Sequence, residues 1–196
     1  MGRQTQYLLL CEDKQHENVM RYFLLACGVS DRKIRVLPYK PGQGAADQRV
    51  VNSFVREVKA FRSKRYQRSG DQQLRRIALI VMLDADHYTV DERRNQLNRH
   101  LQQANLLTIQ ESDNIVLLIP KRNIETWLAA LTSDDISAID EKTNYRHSLP
   151  ERPIWKAALQ RLAERRTQDD AISNQAPPSL VTAWQNVRQF IQNQTS

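Results

Sequence analysis

The chain has 196 residues, with 29 Lys+Arg against 22 Asp+Glu and a formal net charge of +7, so it is long enough to bury a core and basic enough to favour an anionic partner such as nucleic acid. No apolar run approaches the ~18 residues a membrane span needs, and Met1 to Gln6 lacks the layout of a signal peptide, so a cytoplasmic protein without membrane association is expected. Two cysteines, Cys11 and Cys27, give neither a metal spacing nor a disulfide framework and read as core thiols.

Tyr7 to Cys11 is an apolar run that ends on Glu12 and Asp13, which predicts a strand delivering carboxylates to its exit. Val19, Met20, Phe23, Leu24 and Cys27 then recur at helical spacing, with Gly28 as the stop. Ile34 to Tyr39 predicts a short strand near a sheet edge, because Pro38 cannot donate to a ladder. After Lys40-Pro41-Gly42-Gln43-Gly44, the residues Val50, Val51, Phe54, Val55, Val58 and Phe61 mark the inner face of a long helix. Gly42 and Gly44 lack the Lys-Ser/Thr of a nucleoside-triphosphate loop and predict a tight turn close to a nucleic-acid phosphate. Much of the positive excess falls from Arg56 to Arg76. Lys40, Arg62, Lys64, Arg65, Arg68, Arg75 and Arg76 are the candidate nucleic-acid contacts, with Tyr66 as a single base-stacking aromatic. The structural alternative is a solvated helix face and a loop.

The next stretch organises the chain. Ile77 to Leu83 is a continuous apolar run that stops on Asp84-Ala85-Asp86, which predicts a central parallel strand buried on both faces. In open α/β sheets ligands bind outside the carboxyl ends of the strands, and alternate side chains of an extended chain share a side. Asp84 and Asp86 are therefore expected to hold one hard cation together. The plainer reading has Asp84 ending the strand and Asp86 capping the following helix. That helix is predicted from about Val90 to Ala104, and Ile115 to Pro120 predicts a fourth strand. Lys121 and Glu125 follow, with Asn123 placed to cap a helix whose apolar face carries Ile124, Trp127, Leu128 and Leu131. Residues 133–150 predict a loop or short helical pieces. Two amphipathic helices close the chain, on Ile154, Ala158, Leu159 and Leu162 and on Leu180, Trp184, Val187 and Ile191.

Four strands alternating with helices predict an α/β fold: a Rossmann-like sheet of about four mainly parallel strands, with helices on both faces and further C-terminal helices. Residues 1–132 form the expected catalytic domain and 133–196 a helical extension packed on it. Carboxylates converging on one crevice repel each other unless a cation is present, and oxygen ligands select Mg²⁺ or Mn²⁺ over zinc. Glu12, Asp84 and Asp86 are thus the expected metal ligands. Together with a basic surface they point to metal-assisted phosphodiester chemistry. The histidines are scattered, and among them only His87, beside the Asp pair, is near the expected site.

A strand ending in Leu9-Leu10-Cys11-Glu12 and a later strand ending in Leu83-Asp84-Ala85-Asp86 resemble the TOPRIM domain of topoisomerases, bacterial primases and OLD-type nucleases. The run Ile119 to Trp127 is similar to small TOPRIM-like proteins found beside ATPases in prokaryotic defence loci. The resemblance spans about Tyr7 to Leu131. It implies a Mg²⁺- or Mn²⁺-dependent endonuclease in antiviral defence, with Glu12 as acid/base or ligand and Asp84 and Asp86 as ligands; Lys121 and Glu125 are expected at the same site because they follow the strand predicted to lie beside the one carrying Asp84. It also implies nucleic acid, DNA before RNA, as substrate, and leaves an ATPase partner and self-association open. The family often has Gly directly after the Glu, where this chain has Asp13. Two alternatives stand beside the nuclease: a non-catalytic TOPRIM-like module that binds a partner, and a phospho-receiver domain using Glu12, Asp13, Asp84 and Lys121.

Overall fold

In the computed structural model, which describes residues 6–38, 46–67, 77–146, 151–164, 172 and 174–195, four strands form one sheet. They are β1 (Gln6–Cys11), β2 (Ile34–Val36), β3 (Ile77–Met82) and β4 (Ile115–Leu118). All pairings are parallel and the order is β2-β1-β3-β4, so the strand that leads into Pro38 is indeed at an edge. The registers Gln6↔Ile77 through Cys11↔Met82 bring the two central strands to an end at the same level. Whatever follows Cys11 and Met82 therefore leaves the sheet side by side.

Among the described residues six α-helices cover the sheet: α1 (Lys14–Ala26), α2 (Ala46–Gln67), α3 (Val90–Gln103), α4 (Ile124–Thr132), α5 (Arg152–Glu164) and α6 (Pro178–Thr195). Alternate strand residues sort onto two cores. Leu9, Cys11, Ile80 and Met82 face α1, α4, α5 and α6, whereas Leu10, Leu79, Val81 and Leu83 face α2 and α3. The fold is α/β with helices on both faces, and burial on both sides explains why the central strands read as unbroken apolar runs.

The C-terminal helices belong to this scheme. Trp155 and Leu159 of α5 and Leu180 and Trp184 of α6 are buried in the same cluster as β1 and α1. Phe23 on α1 joins the layers: its ring stacks on Trp127 of α4 at 5.9 Å and meets Trp184 of α6 edge-on at 5.6 Å. Gly28, at φ 81, closes α1 as expected, with the Gly28 and Val29 N–H groups donating to the Leu25 and Leu24 carbonyls. Between Ser133 and Arg146 the chain makes turns and one short 3-10 stretch at Ile136–Ala138. No helix among the described residues is long and apolar enough to cross a membrane.

Candidate metal centre

The site begins where the sheet order reverses. The chain passes from β1 to β2 on one side and returns to β3 on the other, and such a switch point opens a crevice at the strand exits. Glu12 leaves β1 there and Asp84 leaves β3. The Asp84 N–H would have no ladder partner beyond the end of β1, and the Glu12 side chain supplies one, accepting it at Oε1 over 3.0 Å. On the other edge, the N–H groups of Leu83, Ala85 and Asp86 donate to the carbonyls of Leu118, Pro120 and Arg122. The exits of β3 and β4 therefore run together past the end of the sheet.

Asp13, directly after Glu12, has a local role at the start of α1. Its backbone is extended (φ −150, ψ −170) and its carboxylate caps α1, accepting from the N–H groups of Gln15 and His16. The same Oδ1 lies 2.9 Å from His16 Nδ1. This aims the opposite ring nitrogen, Nε2, at Asp84 Oδ1, 3.0 Å away. One ligand atom each from Glu12, His16 and Asp84 then fall within 4.8 Å of one another, and this is the group that could hold a metal ion among the described residues. All three are buried, with 7%, 1% and 6% of their surface exposed.

Their electrostatics follow from that burial. Desolvation raises Glu12 from 4.5 to about 7; the nearby charges of Asp84 and Asp86 add to the shift, while His16 and the Asp84 N–H oppose it. For His16, desolvation favours the neutral ring, but hydrogen bonds to Asp13 and Asp84 and their charges outweigh it and raise the imidazole from 6.5 to about 10. Both ring nitrogens donate only in the imidazolium, which in this arrangement sits between two acids.

His16 is the residue that sequence reasoning missed, and it replaces Asp86 in the cluster. Period-two alternation holds only while the backbone stays extended, and Asp86 has φ 53. Its Oδ2 accepts from Arg93 at 2.7 Å, although its charge still reaches Glu12. Asp86 does not cap α3; Thr89 does, in a reciprocal capping box with Glu92. Arg93, only 2% exposed, was also unforeseen. Its Nε donates to the Asp84 carbonyl at 2.8 Å while the rest of its guanidinium binds Asp86 and Gln96, so it clamps the turn that carries Asp84.

The remaining expected residues separate. Glu125 is buried in the first turn of α4. Desolvation raises its carboxyl above the usual range, its own backbone N–H opposes this, and it feels the charges of Asp84, Arg146 and His16. Lys121 points elsewhere: its Nζ donates to the Tyr88 carbonyl at 2.8 Å. Asn123 stands at the N-cap of α4, yet its side chain accepts from Thr126 Oγ1 and donates to Asn144 instead of capping the helix. Arg62 is not a free nucleic-acid contact. It pairs with Asp113 and donates to the carbonyls of Leu107 and Thr108, fastening α2 to the approach to β4. Lys40, Arg68, Arg75 and Arg76, and the side chains of Lys64, Arg65 and Tyr66, lie outside the described residues.

Compared with protein-family models, curated proteins and solved structures, the chain matches none.

Proposed function

We propose that the chain is a divalent-metal-dependent nuclease that hydrolyses nucleic-acid phosphodiester bonds, with Glu12, His16 and Asp84 as its metal-holding residues. The observation that carries this reading is the convergence of those three side chains within 4.8 Å at the exits of the two central strands. Two carboxylates and an imidazole fit a first-row divalent cation, and the nitrogen donor shifts the preference from Mg²⁺ towards Mn²⁺. When bound, such a cation supplies Lewis-acid polarisation of a phosphoryl oxygen.

The protein's own groups divide the rest of the work. As the alternative to ligating the cation, Glu12, which burial raises to about 7 in the cation-free chain, would take a proton from an attacking water near neutral pH and return one to the leaving oxygen. Asp13 fixes the His16 ring and Arg93 fixes the Asp84 backbone, so the cluster is preorganised. The +7 net charge supports a polyanionic substrate, and the TOPRIM resemblance adds the expectation of DNA and of an ATPase partner.

One observation favours the non-catalytic alternative. With its protonation range extended to about 10, His16 already neutralises its acids without a cation, which would suit a structural network in a partner-binding module. The phospho-receiver alternative gains no support, because Asp84 is 6% exposed and Lys121 is bonded to Tyr88. The deciding experiment incubates the purified chain with plasmid, single-stranded DNA and RNA in Mg²⁺, Mn²⁺ or chelator. Cleavage that needs the cation and disappears in Asp84→Asn supports the nuclease. No cleavage, together with no Mn²⁺ binding by calorimetry, leaves the binding module.

A further inference from the structure

Beside the carboxylate-histidine cluster lies a cavity of about 180 Å³ lined by Asp86, His87, Arg122, Asn123, Asn144 and Arg146. It adjoins the cluster through Asp86, two residues beyond Asp84, and its Asn123 lies two residues before Glu125, which feels the charges of Asp84 and His16. Arg146 acts electrostatically on Glu125, which in turn feels Asp84. The wall is assembled in advance. The Asp86 N–H donates to the Arg122 carbonyl, pinning together two residues that both have positive φ, 53 and 78. Asn144 Oδ1 accepts from Asn123 Nδ2 and from the Arg146 N–H.

The charges of this wall are unbalanced. Arg21, Arg56, Arg62 and Arg93 each have a carboxylate within ion-pairing distance. Among the described residues, Arg122 and Arg146 have none. The one acid in the lining, Asp86, is already paired with Arg93. Two guanidinium groups with no ion pair among the described residues, beside a polar cavity, match a tetrahedral oxyanion, which planar forks bind through paired hydrogen bonds. Size narrows the choice, since sites for drug-sized ligands run to about 300–1,000 Å³; this cavity admits a phosphate but not a whole nucleotide.

We propose that the cavity is a phosphate subsite, in which Arg122 and Arg146 hold a phosphodiester of a nucleic-acid strand next to the one presented to Glu12, His16 and Asp84. The assignment of the strand rests on the nuclease reading. The subsite sets where the strand lies across the crevice, and its arginines offset the carboxylates that would otherwise repel a polyanion.

The test measures binding without turnover. A fluorescent single-stranded phosphorothioate oligonucleotide is titrated in chelator against wild type, Arg122→Gln, Arg146→Gln and Asp84→Asn, with inorganic phosphate as competitor and thermal unfolding as the check on folding. Each Arg→Gln change should weaken binding about tenfold and reduce the slope of log K against log salt by roughly one. Asp84→Asn should bind at least as tightly as wild type, and excess inorganic phosphate should displace the oligonucleotide. Arg→Lys variants, which keep charge but lose the fork, should fall between and replace any Gln variant that fails to fold. Wild-type binding that survives both Gln changes, or no oligonucleotide binding by wild type, overturns the proposal; binding of inorganic phosphate alone overturns its assignment to a strand. A chain that binds as expected yet cleaves nothing keeps the subsite and loses the nuclease. One that cleaves through Asp84 while ignoring the arginines does the reverse.

Discussion

His16 Nε2 lies 3.0 Å from Asp84 Oδ1 and its Nδ1 lies 2.9 Å from Asp13 Oδ1, so a single imidazole ties the first turn of α1 to the exit of β3. An imidazolium satisfies both acids, but it can ligate a metal only after losing a proton. Cation and proton therefore compete for one position. Mn²⁺ binding should release protons into a weakly buffered solution, and its affinity should keep rising with pH until His16 has lost its proton, at about 10. His16→Gln should weaken Mn²⁺ binding and remove the proton release above about pH 7, leaving only the share that Glu12 contributes below it. Tight binding with no pH dependence and no released proton would remove His16 from the ligand set.

Without a cation, stability should fall as pH rises across two windows. Glu12 keeps its proton to about 7 in the folded chain, against 4.5 unfolded, so the folded state binds more protons between those values and loses stability as pH climbs through them. His16 is raised from 6.5 to about 10; its contribution is complete below 6.5 and is lost as pH rises through about 10. Thermal unfolding in chelator checks both windows. Glu12→Gln should flatten the lower one and His16→Gln the upper, each relative to wild type. A melting temperature that instead climbs between pH 4.5 and 7, and does so through Glu12, contradicts the burial argument.

The sheet and its helices were legible because burial on both faces writes itself as continuous apolar runs, such as Ile77 to Leu83, and helical contact as the spacing of Val19, Met20, Phe23 and Leu24. Glu12 and Asp84 were legible as strand exits. His16 was not, because its role depends on where α1 starts. Once Asp13 is recognised as an N-cap, the residue three positions on falls on the same face, and that cap is the signal that could have found it. Asp86 failed for the complementary reason: a positive φ ended the alternation that the prediction assumed. Arg62 reads as a nucleic-acid contact because its partner Asp113 lies 51 residues away, and Arg93 is not singled out because its partners, Asp84 and Asp86, meet it only once the turn between β3 and α3 has formed.

Arg62 should matter to stability and not to nucleic-acid affinity. Its guanidinium and the Asp113 carboxylate are 12% and 10% exposed, and breaking such a pair leaves a buried charge unmatched. Arg62→Ala should destabilise the fold by about 3 kcal/mol, read from denaturant midpoints, while the salt slope of oligonucleotide binding stays unchanged. A shallower slope with full stability would restore Arg62 as a phosphate contact. In the opposite pattern, Lys64→Gln with Arg65→Gln should lower the slope by roughly one for each phosphate that is no longer neutralised.

Lys121 and Glu125 were expected to act together, and their surroundings now separate them. Glu125 is buried beside the cluster, with its carboxyl raised by desolvation and by the charge of Asp84, so it carries a proton further towards neutrality than a free glutamate does. That places a proton donor or acceptor within electrostatic reach of Asp84 and His16 without making it part of the metal-competent group. Lys121 is spent on the Tyr88 carbonyl, and its charge acts on Glu92 at the start of α3. Glu125→Gln should therefore lower the cleavage rate about 100-fold, near 2.7 kcal/mol of barrier. Its melting temperature should hold or rise, because the change removes a carboxylate that repels Asp84. Lys121→Met should leave the rate within about threefold and cost less than about 1 kcal/mol of stability, the value of one exposed hydrogen bond. Rates and melting temperatures measured on both variants decide the matter. If Lys121→Met loses the rate while Glu125→Gln keeps it, the lysine leaves Tyr88 to act at the crevice, and the carboxylate is only a first-turn charge at the helix dipole.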